Sequence, residues 1–106
     1  ANNCHYCLSA HSAIGKTVGL TDEEILKARK GQSKTAKDQA ILHFAKEMID
    51  KKGLLSKEEV DQLKKSGVSD KELVELILLI TVNIFTNYFN HITDPVIDFP
   101  IVPKNP

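Results

Sequence analysis

Two cysteines and a histidine near the start of the chain have the spacing of a redox site. Cys4, Cys7 and His11 follow one another at intervals of three and four residues. Each residue of an α-helix advances by about 100°, so all three side chains would lie on one face. The first turn of a helix stabilises a thiolate, and a histidine one turn later can accept the thiol proton. Two thiols at this spacing can also close a disulfide, so the segment predicts a redox-active dithiol with its own base.

Two other interpretations of the cysteine pair stay open at this point. One is part of a metal site, which would need a fourth ligand such as His43 or His91. The other is a pair of buried, chemically inert cysteines in a core helix. Covalent haem attachment would require a histidine directly after the second cysteine, where Leu8 stands. His5 would face about 100° away from Cys4, and we expect it to be exposed.

Glycine stops and hydroxyl caps divide the chain into five predicted helices. The predicted helices span about residues 4–18, 22–30, 35–52, 57–66 and 70–92. Asn2 or Asn3 is expected to cap the first helix, and Pro95 prevents the fifth from continuing. No segment alternates polar and apolar residues with a period of two, so the predicted fold class is all-α.

Three of these helices begin with the spacing of a capping box, in which a hydroxyl and a carboxylate three residues later each accept a backbone N–H. The pairs are Thr21 with Glu24, Ser56 with Glu59, and Ser69 with Glu72. After the last helix, the tail from Asp94 to Pro106 contains all four prolines of the chain. Because proline interrupts regular hydrogen bonding, this tail is predicted to be an extended arm.

The predicted fifth helix is apolar around most of its circumference. Its apolar residues are Leu73, Val74, Leu76 to Ile80, Val82, Ile84 and Phe85. Such a helix must be buried on all sides, which a five-helix chain of this length can hardly achieve alone. We therefore expect a homo-oligomer that forms through this helix. The alternative is a central core helix surrounded by the others, including helices upstream of Ala1.

Length and charge narrow the classes of protein that this chain can belong to. Its 106 residues predict one domain over residues 1–106. Lysine plus arginine and aspartate plus glutamate number 14 each, so we expect neither nucleic acid nor an anionic membrane surface as a partner.

The stretch from Leu76 to Asn90 has no charged side chain, but it is shorter than the ~18 residues of a spanning helix, and it contains three asparagines. We therefore expect no membrane span and, with only Ala1 to Asn3 before Cys4, no visible signal peptide.

The stretch from Asn3 to Ser12, NCHYCLSAHS, resembles the signature of the carboxymuconolactone decarboxylase and AhpD-like alkylhydroperoxidase family. The family pattern is Cys-x-x-Cys-x-x-x-His on a helix. Residues 20–25, 37–45 and 67–73 resemble later family segments in the same order. Residues 87–92 and 98–100 resemble the ending of its peroxidase-related branch.

This resemblance implies an AhpD-like helical bundle and a thiol-dependent peroxidase that requires no cofactor. Cys7, one turn before His11, would attack the peroxide; Cys4 would resolve the sulfenic acid, and His11 would relay the proton. A lipoyl or thioredoxin-like dithiol protein would restore the thiols. The family's alkylhydroperoxidases also place a glutamate upstream of the first cysteine. Only Ala1, Asn2 and Asn3 precede Cys4 here, so this glutamate either lies upstream of Ala1 or is lacking in this protein.

Three further residues, Asn87, His91 and Tyr6, are expected near the cysteine pair, and other functions remain as alternatives to the peroxidase. Asn87 and His91 lie at i and i+4 of the fifth helix, so they would either line the site or pack at a subunit contact. Tyr6 is expected to pack beside the disulfide. The alternative functions are a lactone decarboxylase of aromatic breakdown, a redox-sensing or metal-binding oligomer, and a general disulfide reductase. Because a cycling cysteine pair needs reductant, the predicted location is the cytoplasm.

Overall fold

The structure is a computed structural model that describes residues 2–104 of the chain. These residues form five helices and no strand: α1 His5–Thr17, α2 Asp22–Arg29, α3 Ala36–Asp50, α4 Lys57–Lys65 and α5 Asp70–Thr93. The predicted all-α class is confirmed, and each helix begins and ends within two residues of its predicted bounds. The three predicted capping boxes are present, with paired backbone and side-chain hydrogen bonds at the starts of α2, α4 and α5.

The described residues group into two compact units. The middle unit is Gly31–Ile80, and the end unit is Asn2–Lys30 together with residues 81–104. The first half of α5 belongs to the middle unit and its second half to the end unit. The prediction of a single domain over residues 1–106 stays a prediction.

The core of the middle unit lies where α3 packs against α4. Phe44 of α3 and Leu63 of α4 are buried, as is Val68 in the turn before α5. Periodic apolar residues bury one face of each helix, and burial of each large side chain contributes roughly 1.5–3 kcal/mol. Beside this core, α3 and α4 line an open pocket of about 270 Å³, with Phe44 and Leu63 in its wall and His43 and Glu59 among its polar lining.

In the end unit, α1 approaches α2 closely through a glycine. A Cβ atom on Gly15 would lie 3.4 Å from side-chain carbons of both Ile25 and Leu20, so these side chains pack closely against the α1 backbone at this position. The turn between the two helices uses Gly19 with φ of +101°, a conformation that L side chains rarely adopt. A tight turn thereby places α2 beside the last turn of α1.

The C-terminal segment of the end unit, residues 94–104, has no helix or strand and contacts α1 and α2. Val102 O accepts a hydrogen bond from His5 Nε2 at 2.7 Å, and Phe99 packs edge-on against Tyr6. Arg29 of α2 donates to Pro103 O. The predicted extended arm is not confirmed, and Asn105 and Pro106 lie outside the described residues.

The long helix α5 leaves most of its apolar side chains exposed. Within it only Ile80 is buried, whereas Phe85 is 68% and Ile92 86% exposed. The alternative of a core helix wrapped by the rest of this chain therefore does not hold for residues 2–104. By length and composition alone α5 could cross a membrane, a test that core helices of soluble proteins also pass. The expectation of no membrane stays a prediction.

Candidate functional site

Cys4 and Cys7 form a disulfide at the start of α1. Both residues are buried, with 9% and 8% of their surface exposed. Cys4 is the N-cap of the helix, and its Sγ accepts a hydrogen bond from the Cys7 backbone N–H at 3.2 Å. The expectation that Asn2 or Asn3 caps this helix is therefore wrong: a sulfur takes the place of the usual oxygen acceptor. Asn3 instead has φ of 51°, in the left-handed region that asparagine tolerates better than most residues.

The first turn of α1 carries no acidic residue. The helix dipole places about half a positive charge at this end, and no carboxylate of the turn neutralises it. Once the disulfide is reduced, this partial charge favours the thiolate over the thiol. The local sequence thus sets the sulfurs in an environment compatible with redox chemistry.

The last turns of α5 hold the start of α1 through three hydrogen bonds within the end unit. Asn87 Oδ1 accepts from Asn2 Nδ2 at 2.9 Å, and His91 Nε2 donates to Asn3 O at 3.0 Å. Between them, Asn90 Nδ2 donates to Cys7 Sγ at 3.3 Å. Asn87 and His91 therefore contact the residues that precede the disulfide, and Asn90 contacts the disulfide itself.

Asn90 is the site residue that sequence reasoning missed. The one available signal was the spacing of Asn87, Asn90 and His91, which puts three polar side chains on one side of α5. Helical periodicity indicates that these residues share a face. It does not indicate what that face contacts, because Cys7 lies 83 positions earlier in the chain.

His11 lies on α1 one turn after Cys7 and is exposed. Among the described residues its imidazole has no hydrogen bond or ion pair, so no bond joins it to either sulfur. Its helix position is the predicted one, and its role as proton relay stays a prediction.

Tyr6 and His5, the two residues between the cysteines, connect α1 to the C-terminal segment. The Tyr6 ring lies 5.9 Å from the Phe99 ring, and a hydrogen bond to Asp98, together with burial, raises the pKa of the Tyr6 hydroxyl. His5 is half-buried against Val102 O, not exposed as expected. Both side chains anchor the segment, whereas the Asn90 amide provides the side-chain contact to the disulfide.

Metal binding has no support in the part of the chain that the structure describes. Residues 2–104 contain no group of three or more His, Cys, Asp and Glu side chains placed to hold an ion. Two carboxylates that line the same pocket as His43 form ion pairs with Lys51, which bonds Glu47 at 2.8 Å and Glu59 at 2.6 Å. Hydrogen bonds from Lys51 lower the pKa of both carboxyl groups.

No protein-family model matches the chain, and no curated protein or solved structure is significantly similar to it. The resemblance to the AhpD-like family therefore depends on the sequence motifs quoted above. The geometry of the site is an independent source of evidence about its chemistry.

Proposed function

We propose that the chain is a thiol-dependent peroxidase of the AhpD-like family, which reduces hydrogen peroxide or an organic hydroperoxide with the Cys4–Cys7 pair. A thiolate attacks one peroxide oxygen, forming an S–O bond and breaking the O–O bond. An alcohol or water leaves, and the cysteine becomes a sulfenic acid. The second cysteine displaces water to form the disulfide, and an external dithiol then reduces that disulfide to two thiols.

The observation that carries this proposal is the disulfide at the start of α1. Its Cys4 sulfur accepts a first-turn N–H, its Cys7 sulfur accepts the Asn90 amide, and no carboxylate stands in the first turn. Inert core cysteines need none of these features, whereas a cysteine pair that cycles through a thiolate uses all of them.

Other participants follow from the same chemistry. His11 would supply a proton to the leaving oxygen from its exposed position on α1, and a positioned histidine of this kind contributes about 10²-fold or more. The reductant would be a lipoyl or thioredoxin-like dithiol protein, and a continuous supply of it favours the cytoplasm. No cofactor enters any step.

The test is peroxide consumption with dihydrolipoamide as the dithiol donor. We expect turnover by the wild-type protein and none by the Cys4→Ser/Cys7→Ser double variant. In Cys4→Ser, which lacks the resolving thiol, a dimedone-type probe should label a sulfenic acid on Cys7 after one equivalent of peroxide. Wild-type consumption no faster than that of the double variant would refute the peroxidase.

A general disulfide reductase is the second candidate function. The observation that favours it is Cys4 Sγ at the N-cap, where a first-turn N–H stabilises the sulfur without any contribution from His11. Reduction of insulin at a rate unaffected by His11→Gln, with no peroxide turnover, would support this function over the peroxidase.

We also propose that a second copy of this chain covers the exposed side of α5. Phe85 and Phe89 stack with ring centroids 6.4 Å apart and are 68% and 56% exposed. Apolar side chains that remain this exposed on one helix mark an interaction surface. No nucleic acid or membrane is required.

Sedimentation velocity tests this association. We expect the wild-type protein to sediment as a dimer or larger, and Phe85→Lys/Phe89→Lys to sediment as a monomer. Glu75→Lys, which places the same side chain at an already charged, exposed position of α5, serves as control and should associate as the wild type does. A monomeric wild-type protein at high micromolar concentration would contradict the proposal.

A further inference from the structure

We propose that Asn90 is a catalytic residue, whose side-chain amide holds the Cys7 sulfur as the thiolate and thereby makes Cys7 the sulfur that attacks peroxide. The peroxide step of this inference rests on the proposed peroxidase function. The thiolate step does not, since it concerns only the reduced protein.

The position of Asn90 is fixed by its neighbours on α5. Its Nδ2 lies 3.3 Å from Cys7 Sγ, and both residues belong to the end unit. On the same side of the helix, Asn87 bonds Asn2 and His91 bonds Asn3. Three hydrogen bonds thus align the end of α5 with the start of α1 and hold the Asn90 amide at the disulfide.

The two sulfurs receive different donors. Cys4 Sγ accepts the backbone N–H of Cys7 at 3.2 Å, a bond that any N-cap acceptor would make. Cys7 Sγ accepts the Asn90 side chain, a donor that is not part of α1. A substitution at position 90 therefore removes the side-chain donor to Cys7 and leaves the backbone donor to Cys4 in place.

A neutral amide N–H bonds a thiolate more strongly than a thiol or a disulfide sulfur. After reduction it therefore lowers the free energy of the Cys7 thiolate relative to the thiol, and it does so across the whole pH range because an amide does not titrate. The Cys7 thiolate then forms the S–O bond with peroxide as the O–O bond breaks. In the return step one thiolate of the dithiol attacks Cys4 Sγ, and Cys7 leaves as the thiolate that Asn90 stabilises. The second thiol of the dithiol then displaces Cys4 from the mixed disulfide, which leaves the donor oxidised to its own disulfide.

The first experiment measures thiol pKa values in single-thiol proteins from the pH dependence of iodoacetamide alkylation. In a Cys4→Ser background, Asn90→Leu should raise the pKa of the Cys7 thiol by about one unit, the size expected for one lost hydrogen bond to a charged acceptor. In a Cys7→Ser background, Asn90→Leu should leave the pKa of the Cys4 thiol unchanged. Leucine has the same branching at Cγ as asparagine and a higher helix propensity, so α5 should persist.

A matched control separates this donor from a general disturbance of α5. Thr86→Val removes a hydroxyl that bonds only Asn83 O, one turn before Asn90 on the same helix. It should leave the pKa of the Cys7 thiol as it is. A Cys7 pKa unmoved by Asn90→Leu, or an equal shift at Cys4, would overturn the role of Asn90.

The second experiment follows sulfenic acid formation by peroxide in the Cys4→Ser background as a function of pH. At pH values below the Cys7 thiol pKa of both proteins, Asn90→Leu should slow the reaction about tenfold. At pH values above both pKa values, the rates of the two proteins should converge, since Cys7 is then a thiolate in either protein. A purely structural role would lower the rate equally at every pH, and that outcome would refute the proposal. If neither protein forms sulfenic acid while the alkylation shift is present, the peroxidase fails and the thiolate role of Asn90 stands.

Discussion

The starts of α4 and α1 meet the same backbone requirement with different atoms. At α4 the Ser56 hydroxyl accepts the Glu59 N–H at 3.1 Å, and the Glu59 carboxylate accepts the Ser56 N–H at 3.3 Å. At α1 the Cys4 sulfur accepts the Cys7 N–H at 3.2 Å, and no side chain returns the bond.

The two helix starts also differ in the charge of their first turns. Glu58 and Glu59 place negative charge in the first turn of α4, where it compensates the dipole and adds stability. The first turn of α1 has no such charge, so the partial positive charge there remains available to a thiolate. The same local geometry therefore adds stability in the middle unit, whereas in the end unit it surrounds the sulfurs with conditions compatible with redox chemistry.

The largest expected effect comes from exchanging the sulfur cap for an oxygen cap. Cys4→Ser keeps a preferred N-cap acceptor, so α1 should keep its helical circular dichroism, while peroxide turnover with dihydrolipoamide should fall to the level of the double variant. Cys4→Ala is the paired variant. It should lose turnover and also about 1 kcal/mol of unfolding free energy relative to Cys4→Ser.

At α4 the corresponding change should affect stability alone. Ser56→Ala removes the hydroxyl acceptor, and we expect a loss of about 1 kcal/mol in the free energy of unfolding by urea, with the thiol pKa values unchanged. Lys57→Ala, at an exposed position one residue later, is the control and should unfold like the wild type. Equal midpoints for Ser56→Ala and Lys57→Ala would show that the capping box adds nothing.

A carboxylate in the first turn of α1 should make this helix start resemble that of α4. His5→Glu adds the charge, and His5→Gln, which keeps an amide donor near Val102 O, is its matched control. In the Cys4→Ser background we expect the Cys7 thiol pKa to be about 0.2–0.7 unit higher in His5→Glu than in His5→Gln. Equal values would indicate that the helix dipole does not act on this sulfur.

The smallest effect concerns the ion pairs of Lys51. Hydrogen bonds from Lys51 lower the pKa of Glu47 and Glu59, so their contribution to stability is present above the ordinary value of 4.5 and is lost as pH falls through the lowered values. The bonds to Glu47 and Glu59 raise the pKa of Lys51, whose contribution is present below 10.5 and is lost as pH rises through the raised value.

Lys51→Met should therefore flatten the fall in the urea midpoint between about pH 5 and pH 2. Because Lys51 is exposed and Glu47 and Glu59 are only half-buried, the change should be small and should shrink further in 1 M salt. A steeper fall in the variant would contradict the assigned sign.

The sequence predicted the capping boxes and helix bounds because these depend on residues three or four positions apart. It missed Cys4 as the cap of α1, since sulfur is a weak acceptor that propensity rules omit. It missed Asn90 because helix periodicity defines a face but not its tertiary contact. The same holds for His11, because its spacing from Cys7 predicts its position on α1 but not the orientation of its ring.

The helix that holds Asn90 against Cys7 also leaves Phe85 and Phe89 open to solvent. Suppose that a partner binds this surface more tightly in one oxidation state of the disulfide than in the other. Because linkage is reciprocal, that difference in binding free energy must also shift the midpoint potential of the disulfide. If the partner is another copy of the chain, mass action makes that potential vary with dilution. A titration at a single protein concentration would then report on assembly as well as on the sulfurs.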